Sequence, residues 1–105
     1  MNDTCLRHEL ANQAKSIVMN AGNHVASEGA FSDVYAISLS QNVIICYAVY
    51  GNCVSDPTGS STIRVWHNDE LVLKVRFADC VADGADYIYI HGEWEQVIKE
   101  KYNEV

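Results

Sequence analysis

The chain has 105 residues, 49% apolar and 20% charged, with one proline and six glycines; this reads as one folded domain, neither disordered nor collagen-like. A formal charge of -7 and a pI near 4.8 run against the basic footprint that a free-standing DNA or RNA binder carries. Direct nucleic-acid binding is therefore not expected.

Residues 4 to 21 predict a helix. Leu6, Leu10, Ala14, Ile17, Val18 and Ala21 recur at three- and four-residue steps and form one stripe. Arg7, Glu9, Asn12, Gln13 and Lys15 fall on its polar face, and Gly22 fits the position just past its end. Residues 23 to 32 are small and mixed and read as a loop with one short helical turn. From residue 33 the period changes. Twelve Val and eight Ile against five Leu favour strands. Residues 34 to 39 and 43 to 50 read as two strands joined by a tight turn at Ser40, Gln41 and Asn42. Residues 51 to 61, with Pro57 and Gly59, read as a loop. Residues 62 to 77 read as a second hairpin turning at Asn68 and Asp69. In its return strand Leu71, Leu73, Val75 and Phe77 share one face, and Val72, Lys74 and Arg76 the other. Residues 79 to 86 read as an acidic connection and residues 87 to 90 as a short strand. Gly92 breaks it, and residues 93 to 103 read as a closing helix with Trp94, Val97, Ile98 and Tyr102 on one stripe. The expected fold is α+β: one antiparallel sheet of four or five strands flanked by an N-terminal and a C-terminal helix, in the order α-β-β-β-β-β-α.

Neither end carries a targeting signal: residues 1 to 9 lack a basic start and apolar run, and residues 99 to 105 lack a lipidation or retention motif. Residues 34 to 55 are uncharged, but Ser38, Ser40, Gln41 and Asn42 interrupt them. The longest apolar run, residues 43 to 50, is far short of the roughly 20 residues of a membrane span. The expectation is a cytoplasmic protein without membrane contact, its Cys5, Cys46, Cys53 and Cys80 held as reduced thiols.

No motif specifies chemistry. Cys46 and Cys53 are too far apart for a zinc knuckle and lack a second pair, so no metal or other cofactor is expected. Cys53 with His67 and His91 could form a nucleophile and base, yet no nucleophile signature surrounds Cys53. Asp79, Asp83 and Asp86 could supply an acid–base pair if burial split their pKa values, but a solvated loop is the simpler reading. No glycine-rich phosphate loop is present. The chain is therefore not expected to be an enzyme.

Charge carries more information. Residues 77 to 105 hold seven acids and two lysines, and no Lys or Arg occurs between residues 77 and 98. Tyr87 and Tyr89 stand on one side of their strand by alternation, and tyrosine is a frequent anchor of protein interfaces. Asp79, Asp83, Asp86, Tyr87, Tyr89, Glu93 and Glu95 are the candidate partner-binding residues, complementary to a basic protein or nucleoprotein complex. In size, acidity and lack of a catalytic motif the chain is loosely similar to small phage-encoded inhibitors such as anti-CRISPR proteins. It is similar in the same way to immunity proteins that neutralise basic nuclease toxins. The resemblance implies a non-catalytic inhibitor and transfers no residues. Two alternatives stand beside it: a homodimeric accessory domain, and a small Cys/His enzyme or metal protein.

Overall fold

The computed structural model describes residues 3–27, 32–50, 60–78 and 81–104. Helix α1 spans Asp3–Ala21. Six strands follow: β1 (Asn23–Ser27), β2 (Ser32–Ser38), β3 (Val43–Tyr50), β4 (Ser60–His67), β5 (Glu70–Ala78) and β6 (Val81–Tyr89). Helix α2 (Trp94–Glu104) closes the chain. Each strand pairs antiparallel with the next, giving the sheet order β1-β2-β3-β4-β5-β6. The α+β class and the flanking helices are as the sequence predicts. The sheet has one strand more than expected.

That strand is β1, in a segment read as a loop. Its register slips between His24 and Ala26, which breaks the alternation that would have announced it. The connection expected over residues 79 to 86 is likewise mostly strand. Aspartate and glycine disfavour strands, but pairing with β5 overrides them. Lys74 pairs with Ile88 and Arg76 with Asp83, so Val75 alone stands across from residues 84 to 87. The irregular stretch takes up Gly84 without ending the strand.

Both helices cover one face of the sheet. Ile45, Val65 and Leu73 form one cross-strand row and Ile63 and Val75 another, all fully buried. Leu10, Ala14, Ile17 and Val18 of α1 close over them with Trp94, Val97 and Ile98 of α2. Burying a side chain of this size stabilises by roughly 1.5–3 kcal/mol. Ala21, predicted on the stripe, is exposed, and Arg7, predicted on the polar face, is 3% exposed. The β5 alternation also changes phase. A bulge between Val65 and Trp66 sets Trp66 against Leu71, and Val72 joins Leu73 in the core.

Two tight turns fix the far end of the sheet. Gln41, Asn42, Asn68 and Asp69 all have φ between 53° and 67°, as two-residue hairpins with right-handed strand twist require. The turns clasp each other: the Asn68 N–H donates to the Asn42 carbonyl at 3.2 Å, and Asn42 Nδ2 donates to Asn68 Oδ1 at 3.1 Å. Among the described residues no helix is long and apolar enough to cross a membrane.

Candidate functional site

The edge strand β6, the turn after it and the start of α2 bring most of the candidate residues together. Asp83 and Asp86 lie in β6, the last strand of the sheet, and Asp79 lies outside the described residues. The register sets Asp83 opposite Arg76. Glu93 is exposed in the turn before α2, and the α2 acids Glu100 and Glu104 are exposed as well.

Tyr87 and Tyr89 both face the helices and then diverge. The Arg7 guanidinium lies 3.5 Å from the Tyr87 ring centroid. A cation held over a tyrosine face contributes about 0.5–2 kcal/mol, more as the cation is desolvated. The Tyr87 ring nevertheless stays 49% exposed, so it is oriented from beneath and open above. Tyr89 instead packs inward. Its ring meets Trp94 edge-on at 6.1 Å and His91 at 4.3 Å, and its hydroxyl donates to Glu95 Oε1.

Glu95 belongs to that inner network. Its second oxygen accepts the Gly92 N–H at 3.3 Å and stands 3.4 Å from His91 Nδ1. A carboxylate three residues past the turn thereby satisfies a donor at the start of α2, where the helix dipole also favours negative charge. Trp94 Nε1 donates to the Ile90 carbonyl at 2.8 Å. A Cβ on Gly92 would stand 3.0 Å from the Trp94 ring, so this turn depends on glycine for close approach. Glu95 and Tyr89 therefore fix the turn, whereas Tyr87 and Glu93 face outward.

Sequence reasoning missed two participants. Ile90, just past the end of β6, is 44% exposed, an apolar contact beside the acids. Arg7 is the support beneath Tyr87, and its Nε has no hydrogen-bond partner among the described residues. Neither had a local signal: both depend on which surface α1 and α2 cover.

Two of the other cations, Lys99 and Lys101, lie in α2 among its acids, and the rest stand elsewhere. Lys15 reaches over the Tyr47 and Phe77 rings at 5.7 and 5.3 Å. Arg64 and Lys74 pair in register on the sheet face opposite the helices, with Cys46 next to Arg64 in the same row. Burial pushes the Cys46 thiol above its ordinary pKa, and the Arg64 charge opposes the shift in part.

The residues considered for metal or nucleophile chemistry do not assemble where they are described. Cys53 and Cys80 lie outside the described residues, and Cys46 is a free thiol in the middle of β3. His67 approaches the Asn68 side chain at 3.4 Å, and His91 belongs to the Glu95 network. Among the described residues no three His, Cys, Asp or Glu side chains converge on a common point. No protein-family model matches the chain, and no curated protein or solved structure shows significant similarity to it.

Proposed function

We propose that the chain is a small non-catalytic binding protein. Its β6–α2 edge docks on a basic surface of a nucleic-acid-handling protein or complex in the cytoplasm and inhibits it. One observation carries the reading: a turn held rigid from inside by Tyr89, Trp94 and Glu95 presents Tyr87, Ile90 and Glu93 outward beside an acidic edge strand. Rigid aromatic and apolar anchors ringed by charge are the composition of a protein-binding surface. The Arg7 support lowers the ordering cost of Tyr87 on binding. The acids supply steering toward a positive partner and rejection of negative ones.

Affinity capture from host lysate with wild type, Asp79/Asp83/Asp86→Asn and Tyr87→Ala/Glu93→Gln baits tests the reading. A basic nucleic-acid-handling protein retained by wild type and lost from both variants is the expected result. Equal retention by all three baits, or no basic protein on the wild-type bait, overturns it.

A further inference from the structure

Away from the acidic edge, the helix-facing side of the sheet carries a groove of different chemistry. We propose that this groove, between the end of α1 and strands β2 and β3, binds a small aromatic carboxylate. The flat apolar body lies on the groove floor and the single anionic group meets Lys15. The groove, of about 510 Å³, is lined by Val18, Met19, Gly22, Tyr35, Tyr47 and Val49, and small-molecule sites run from roughly 300 to 1,000 Å³. β2 and β3 stand three or more places from β6 in the sheet order, so the site does not rest on the binding function proposed above.

Alternation puts Val43, Ile45, Tyr47 and Val49 on the helix-facing side of β3. Val43 and Ile45 are fully buried, whereas Tyr47 and Val49 are only partly so. The last turn of α1 and Gly22 stand along this stretch and leave part of it open. Tyr35 pairs with Tyr47 in register, so both tyrosines belong to the floor. Val18 and Met19 form the α1 wall. Gly22 keeps its end open: a Cβ there would stand 2.9 Å from Val18 Cγ1 and crowd a side chain that lines the groove. Met19 is 69% exposed, a flexible thioether suited to settle on an aromatic ring.

Charge selects the head group. Lys15 lies three and four residues before Val18 and Met19, on the same side of α1. Its ammonium stands 5.7 Å from the Tyr47 ring centroid and 5.3 Å from that of Phe77. Phe77 shares a cross-strand row with Val49 through Ser61. Among the described residues the ammonium meets these aromatic faces and pairs with no carboxylate. A chain of charge -7 thus keeps an unneutralised cation beside an apolar groove. An incoming carboxylate gains a charge-assisted hydrogen bond there, and the tyrosine floor favours a flat aromatic body. Asp33 stands at the β2 side: it pairs in register with Val49 and is engaged by His24 at 2.9 Å. A second acidic group on the ligand would meet that carboxylate, so the groove fits a monocarboxylate and disfavours a dicarboxylate.

Titration of the full chain with naphthoate and with its neutral counterpart naphthalenemethanol, followed by backbone amide NMR, tests the proposal without any protein partner. Its failure would leave the acidic-edge reading intact. Naphthoate is expected to saturate with a Kd of about 1 mM or below, at least about tenfold tighter than the alcohol. The largest shifts are expected at Val18, Met19, Gly22 and Tyr35. Lys15→Met keeps the apolar stem and is expected to erase the preference, leaving the alcohol's affinity within about twofold. Should Lys15→Met unfold, Met19→Glu decides: at an exposed position it sets an acid on the rim. It is expected to weaken naphthoate at least about threefold and to spare the alcohol. No saturable naphthoate binding at this level, a carboxylate preference unchanged by Lys15→Met or by Met19→Glu, or shifts centred on Arg64 and Lys74 instead overturns the proposal.

Discussion

Arg7 shows how one residue can serve two purposes. It is 3% exposed, its Nε lacks a partner among the described residues, and its guanidinium carries the Tyr87 ring. Burying an unpartnered polar group costs about 1–3 kcal/mol, so an apolar chain of similar reach should be tolerated. Arg7→Met is expected to change stability by less than about 1 kcal/mol, and Arg7→Ala to cost about 2–3 kcal/mol through the space it vacates. Chemical denaturation of both variants checks this; equal costs would contradict it. Cys46 gives the pH-dependent prediction. Its thiol pKa is raised chiefly by burial, so the folded state resists ionisation. The stability this group contributes is complete below the ordinary thiol pKa and is lost as pH rises through the raised folded value. Alkylation at Cys46, followed by peptide mapping, is expected to lag a free thiol at neutral pH and to accelerate only at strongly alkaline pH. A rate equal to that of a free thiol would contradict the placement.

At the scale of elements, the hairpins offer the cleanest test. Gln41 sits at φ 60°, a conformation that favours asparagine or glycine over glutamine. Gln41→Asn is expected to stabilise by about 0.5 kcal/mol, read as a higher denaturation midpoint at unchanged slope; a lower midpoint would contradict it. Both hairpins were legible because Gln41-Asn42 and Asn68-Asp69 interrupt runs of β-branched residues. The helices were legible from their three-to-four-residue stripes. β1 was not, because an edge strand needs only one neighbour and its bulge erases alternation. The first part of β6 was not, although residues 87 to 90 read as strand, because local preference at Asp83, Gly84 and Asp86 points to a turn while pairing with β5 decides otherwise. At the candidate site, alternation correctly set Tyr87 and Tyr89 on one side. It could not divide them, since Arg7 and Glu95 meet them only through the packing of α1 and α2.

Across the whole molecule, charge is only partly separated: Lys99 and Lys101 stand among the α2 acids and Arg76 stands opposite Asp83, while other cations lie elsewhere. Arg7 and Lys15 lie over aromatic rings, Arg64 and Lys74 pair on the sheet face away from the helices, and the exposed α2 acids continue from the turn that follows the β6 edge. The excess of acids in residues 77 to 105, seven against two lysines, is what gives this end of the chain a negative field. The binding account therefore rests on electrostatics acting at one edge, and salt dependence reads that most directly. The measurement is the Kd of the captured basic partner across a salt series, for wild type and Asp79/Asp83/Asp86→Asn. The account predicts that wild-type affinity falls steeply with added salt. The variant should bind at least about tenfold more weakly at low salt, with a flatter dependence. Equal affinities and equal slopes for the two proteins would contradict it.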